Sequence, residues 1–148
     1  TSYGRGKDLL RKFIFKMKKK YNLKVTWLRI FYIYGLNDTR VTLTNLLINS
    51  KQKKQTIILN NRIQRDYVDI NFVTKVFVQI LLKNKGFGVV NLCSGKKIFL
   101  KDLVKTLRRK FKIKPLVKYQ NTKQRKFEPE SFYGCNYKLK KILKSAKQ

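Results

Sequence analysis

The sequence predicts an α/β fold. Three observations carry that expectation. Apolar residues at helical spacing alternate with short runs rich in β-branched and aromatic residues, the runs are bounded by Gly, Asn or Pro, and no segment repeats. In chain order, Leu9, Leu10, Phe13, Ile14 and Met17 draw an apolar stripe on a helix from about Tyr3 to Tyr21. Lys16, Lys18, Lys19 and Lys20 fall near its C-terminal end, where a helix dipole favours cations. Val25, Trp27, Leu28, Ile30 and Phe31 read as a buried strand stopped at Gly35. Thr42 to Asn49 reads as a short helix, TIILN as a short strand and RDYVDI as extended chain. Asn71 is the expected N-cap of a helix running to about Lys85, with Phe72, Val73, Val76, Phe77, Ile80 and Leu81 at helical spacing.

KGFGVVNLCSG reads as turn, strand and turn, with Ser94-Gly95 as the second turn. Leu100, Leu103, Val104, Leu107 and Phe111 mark another helix. Pro115 punctuates, PLVKYQ follows as a strand, and Tyr137 to Lys144 closes the chain as a helix. Gln120 to Gly134 is the one long irregular stretch, and irregular segments of that length often carry function.

Composition narrows the class. The chain has 148 residues, the size of one domain or part of one, and 43% hydrophobic content supplies a core. The longest candidate for a membrane span, Phe72 to Leu82, is interrupted by Thr74, Lys75 and Gln79. The chain opens inside what already reads as a helix, with no initiator methionine and no secretory pattern, so a fragment is expected. Histidine is absent, and Cys93 and Cys135 form no CxxC pair, so no metal site is expected. Two isolated cysteines read as reduced residues of a cytoplasmic protein. The 37 Lys and Arg against 7 Asp and Glu give a formal charge of +30. Such a field attracts any anion, but the lysines are spread over every segment rather than gathered on one stripe.

Chemistry enters at the N-terminus. A spacing of four places Tyr3 and Lys7 on one helix face, one turn apart. A phenol ordinarily titrates near pH ~10, too high for easy proton exchange at neutrality. A cation within about 4–6 Å favours the phenolate. A pair of this kind can take a proton from a hydroxyl or return one.

Five stretches stand in order: YGRGK (3–7), LRIFYIYG (28–35), RDYVDINFV (65–73), VVNLCSGKKIFLKDLV (89–104) and QRKFEPESFYGCNYKLKKIL (124–143). Their order and spacing resemble the C-terminal half of the NAD-dependent epimerase/dehydratase family, extended short-chain dehydrogenase/reductases that modify nucleotide sugars. The resemblance implies the C-terminal part of a Rossmann-type NAD(P)-binding fold plus a small substrate-binding lobe. Residues 1–35 would be the catalytic helix and the following sheet strand. Residues 36–148 would be mostly the substrate lobe, with a returning core segment near 65–95.

The resemblance also implies roles. Tyr3 is the acid/base and Lys7 its partner, and both meet the NAD or NADP cofactor. Arg65 resembles the arginine that meets the substrate diphosphate, and Arg125 a second arginine reaching it from the other side; a planar guanidinium suits a bidentate phosphate contact. Tyr32 stands where relatives commonly have Asn in an "FNxYG" pattern, at a substrate-contacting position. Its greater bulk leaves the sugar open and leans the reading toward a ketosugar reductase-like member.

Relatives often carry Asp where Asn71 stands, and Ser where Phe99 stands, so the helix of LKDLV is expected to lack its side-chain cap. The glycine-rich dinucleotide turn and the Ser/Thr that accompanies the tyrosine are expected upstream of Thr1. The implied partner is a nucleotide-diphosphate sugar; a homodimer is possible, and neither specific nucleic acid nor membrane is expected. The alternatives are an inactive family member and a non-catalytic basic module for RNA or another polyanion. The second rests on KMKKKY, LRRKFKIK and YKLKKILK, where aromatics stand among cations.

Overall fold

The computed structural model describes residues 1–36, 42–50, 53–121 and 129–145. Helix α1 spans Ser2–Tyr21. Thr1 caps it by accepting the Gly4 N–H at 3.2 Å. It ends where Asn22 turns left-handed (φ 50°) and returns its N–H to the Lys18 carbonyl, with Lys18, Lys19 and Lys20 in the last turn.

The strand expected as one run is two. β1 (Thr26–Ile30) pairs in parallel with β6 (Gly88–Leu92), whereas β2 (Tyr32–Tyr34) pairs in parallel with β5 (Tyr67–Asp69). The change of partner falls between neighbours: the Phe31 N–H goes to Leu92 O at 3.1 Å, and the Tyr32 N–H goes to Asp66 O at 3.2 Å. Tyr32 thereby leaves the β1–β6 ladder and joins the RDYVD segment.

Helix α2 (Leu43–Asn49) is capped by Thr42, and β3 (Ile57–Asn60) pairs in parallel with β8 (Val117–Gln120). Strand β4 (Gln64–Arg65) is flanked by β7 (Ile98–Phe99), antiparallel, and by β9 (Ser131–Phe132), parallel. Strand β9 lies inside the stretch read from sequence as irregular. Two residues are too short a run for alternation to mark, and the pairing comes from tertiary packing. Helix α4 (Leu100–Phe111) starts at Phe99 with no side-chain cap, as expected, and Asp102 sits in its first turn. Helix α5 covers Tyr137–Lys144.

Helix α3 spans Ile70–Leu82, and its N-cap is Asp69, not Asn71. The Asp69 carboxylate accepts the Asn71 N–H at 2.8 Å and also pairs with Lys110. A carboxylate outcompetes an amide here because it answers the helix dipole as well as the N–H. Asp69→Ala is expected to lower unfolding free energy by about 1–2 kcal/mol in urea titrations. Asn71→Ala should change it by less than about 0.5 kcal/mol; equal losses would return the cap to Asn71.

Two apolar clusters hold these elements. Val68, Val73, Val76, Ile80, Val90, Leu92, Leu139 and Ile142 join α3 and α5 to β5 and β6, with Leu28 and Phe31 packed against them. Leu47, Ile57, Leu59, Leu100, Leu103, Val104 and Leu107 join α2, β3 and α4, with Tyr34, Ile98 and Val117 alongside. The stripe of α1 is in neither: Leu9, Leu10 and Phe13 are exposed, and no α1 residue is buried.

Candidate active site

At the head of α1, the capped first turn brings Tyr3 and Lys7 together as their spacing predicts. Lys7 Nζ stands 5.6 Å from the centroid of the Tyr3 ring, and the ring is 74% exposed. The phenol is therefore open to a reactant rather than wedged into the core. Asp8 follows directly, but its carboxylate is engaged by Arg11 at 2.7 Å and Lys12 at 3.0 Å. Arg11 first, then Lys12, holds the Asp8 carboxyl below the usual carboxylate range.

At the far end of β1 the chain enters β2, and a second group of predicted residues meets. The Arg65 guanidinium carbon lies 5.6 Å from the centroid of the Tyr32 ring. Arg65 is 2% exposed, and its Nη1 donates to the carbonyls of Gln64 at 2.8 Å and Glu130 at 2.9 Å. Tyr32 is half-exposed, tilted against Tyr67 at 5.8 Å and edge-on to Phe132 at 6.4 Å; Phe132 in turn stacks on Phe31 at 5.1 Å. Bulky aromatics thus stand over the arginine at the position where the resemblance expects a small amide. The structure brings the predicted residues together as two pairs, Tyr3 with Lys7 and Tyr32 with Arg65. Arg125 lies outside the described residues.

The sequence reading missed Asp66, which is 0% exposed. Its Oδ1 accepts the Ser94 N–H at 2.7 Å, and its Oδ2 accepts those of Gly95 at 2.9 Å and Gly134 at 3.2 Å. The sequence signal was a carboxylate directly after Arg65 in a chain with only 7 Asp and Glu. Ser94-Gly95 is the turn expected of it, with Gly95 at φ 76°. Beneath Gly134 lies the buried Cys93 thiol, which burial, reinforced by the nearby Asp66 charge, pushes up to about 11. That thiol stays neutral at pH 7 and packs rather than reacts.

A cavity of about 450 Å³ opens beside this turn, lined in part by Tyr34, Tyr67, Asp69, Phe72, Ser94 and Asn136. Of the sequence-predicted residues that the structure describes, Tyr3, Lys7, Tyr32 and Arg65 do not line it. Among the described residues no group of three His, Cys, Asp or Glu is placed to hold a metal ion, and no helix is long and apolar enough to cross a membrane.

The sequence profile of the NAD dependent epimerase/dehydratase family matches residues 1–93. The chain belongs to that family. Among solved structures, this family member resembles UDP-N-acetylglucosamine 4-epimerase from Methanobrevibacter ruminantium in complex with UDP-N-acetylmuramic acid. The two share 18% identity with a TM-score of 0.77, over 96% of this chain and 47% of that one. It also resembles UDP-glucose 4-epimerase from Thermus thermophilus in complex with NAD (18% identity, TM-score 0.75, 100% and 49% of the chains). A third is the dTDP-glucose 4,6-dehydratase from Streptomyces venezuelae with NAD bound (16% identity, TM-score 0.70, 93% and 42%). The chain spans about half the length of the solved structures it matches. A search of curated proteins gave no match. The α/β architecture of this epimerase/dehydratase family member is the C-terminal part of a Rossmann-type fold with the smaller lobe attached.

The residues present fit one end of a nicotinamide dinucleotide. Lys7 offers an ammonium with three donors for ribose hydroxyls, and the open Tyr3 ring stands beside it. No glycine-rich strand-to-helix turn for the pyrophosphate occurs among the 148 residues.

Proposed function

We propose that this chain supplies the proton-transfer pair and the sugar-nucleotide site of an NAD(P)-dependent nucleotide-sugar epimerase, dehydratase or reductase. The observation that supports it most directly is the exposed Tyr3 phenol with the Lys7 ammonium beside its ring, at the head of the helix that opens the family match. A bound nicotinamide would supply the hydride acceptor or donor for a sugar carbon, with Lys7 and Tyr3 at its ribose. Tyr3 Oη takes the proton of the sugar hydroxyl or gives it back, and Lys7 holds a ribose hydroxyl and keeps a positive charge beside the phenol. Arg65 and Arg125 hold the diphosphate, and Tyr32 contributes one hydroxyl and a ring face to the sugar. Because Arg65 is buried under Tyr32 and held by the Glu130 carbonyl, its phosphate contact requires those two neighbours to give way. The α2–β3–α4 cluster is the substrate lobe in this reading. The setting is cytoplasmic, with both cysteines as free thiols.

Thermal unfolding of the chain at physiological salt tests this. UDP-glucose, UDP-N-acetylglucosamine or dTDP-glucose is expected to raise Tm; saturation at about 100 times Kd stabilises by about 2.7 kcal/mol. NAD alone should shift it little, because the pyrophosphate cradle is not in this sequence. No shift with any sugar nucleotide, together with tight RNA binding of steep salt dependence, would replace this reading by the polyanion-binding module.

A further inference from the structure

We infer that Asp66 is the positioning residue that sets the Arg65–Tyr32–Phe132 group in place, by buckling the 94–95 turn and Gly134 onto the β4–β5 junction; the part of this that concerns substrate rests on the reading above. An ionised carboxylate is an acceptor at both oxygens. Fully buried, it is stable only with its lone pairs answered, and here three backbone N–H groups answer them. The Asp66 carbonyl adds the Tyr32 N–H. One residue thus gathers β2, the end of β6 and the segment leading into α5.

The consequence for the site is a matter of register. Two residues before Gly134 is Phe132, which stacks on Phe31 and meets Tyr32 edge-on. Four residues before it is Glu130, whose carbonyl holds Arg65. A Cβ on Gly134 would come within 2.5 Å of the Phe31 ring and 2.7 Å of Cys93 Sγ, so the segment sits against the strands with no slack. Asn136 makes a second fastening, donating to Ser94 O at 2.6 Å. Freed from Asp66, residues 130–134 carry Phe132 and the Glu130 carbonyl away from Arg65 and Tyr32.

The test uses the full chain. Asp66→Asn keeps the size but turns one acceptor into a donor that faces backbone N–H groups. Gly134→Ala leaves the carboxylate and displaces the segment from the other side. Val76→Ala, in the α3 core, serves as a destabilised control that leaves the buckle intact. UDP-glucose affinity is read by calorimetry. Cys93 labelling is read in a Cys135→Ser background at several low urea concentrations.

Asp66→Asn and Gly134→Ala are expected to weaken UDP-glucose binding about tenfold or more. Both should speed Cys93 labelling by a local opening insensitive to urea. Val76→Ala should hold affinity within about twofold, its labelling following global unfolding and rising with urea. Affinity and labelling in both buckle variants matching the control would overturn the inference. If Asp66→Asn does not fold, Gly134→Ala decides alone. If the unmodified chain binds none of UDP-glucose, UDP-N-acetylglucosamine and dTDP-glucose, the enzymatic reading fails on its own. Labelling then decides the buckle: fast and urea-independent in the variants supports it, unchanged labelling overturns it.

Discussion

Tyr3→Phe, in protein that also carries the dinucleotide-binding half, is expected to lower kcat by about 10²–10⁴-fold, the range of a lost general acid/base. Affinity for the sugar nucleotide should stay within about twofold, because the substitution removes one oxygen and leaves the ring. The ring is 74% exposed and packs against no core cluster, so Phe at position 3 leaves the fold unchanged. Lys7 stays beside the ring, so the ribose contact proposed for it is left in place as well. A single-turnover hydride assay separates the steps. In the proposed reaction the hydride leaves the carbon whose hydroxyl gives up the proton, so loss of the phenol should stall the absorbance change of the nicotinamide itself. Undiminished single-turnover rates would remove Tyr3 from the chemistry. Loss of sugar-nucleotide binding in step with rate would recast it as a binding residue.

That pair was legible because a helix is a local object. Four residues of spacing, a threonine cap and an amphipathic run fix where two side chains stand relative to each other. The same holds for α3 and α4, visible as periodic apolar positions, and α2 and α5 were also read as helices. The missing cap at Phe99 could be read from one residue. What escaped was non-local. The partner switch between Phe31 and Tyr32 depends on two strands that are distant in sequence, and no period in FYIYG marks it. The cap at Asp69 was mistaken for Asn71 because propensity ranks the two types alike, while the fold brings the Lys110 ammonium to the Asp69 carboxylate. The Asp66 buckle joins residues 28, 29 and 68 positions away, beyond the reach of any pattern. The α1 stripe was read correctly as a stripe, but amphipathicity names only the face that wants covering, not what covers it.

Arg65 carries the second large effect, and the structure changes its form. From sequence alone, Arg65→Ala should raise the substrate constant and spare turnover, as loss of uniform binding does. The side chain, however, is 2% exposed and ties β4 to the Glu130 carbonyl while lying against the Tyr32 ring. Truncation leaves the Gln64 and Glu130 carbonyls short of a charged donor, opens a cavity and removes a cation from an aromatic face. Together these are expected to cost about 2–4 kcal/mol of unfolding free energy, measured in urea. On top of that, affinity for UDP-glucose should fall about 10–100-fold, as a charge-assisted contact of about 1.5–3 kcal/mol is lost. Arg65→Lys discriminates the two roles. It restores the cation and much of the volume but lacks the planar fork, so it should recover more of the stability than of the affinity. If Lys restores both, the fork is irrelevant to phosphate. If Ala lowers stability and leaves affinity untouched at a temperature where the variant is folded, Arg65 is a strut of the β4–β9 pairing and the diphosphate is held elsewhere.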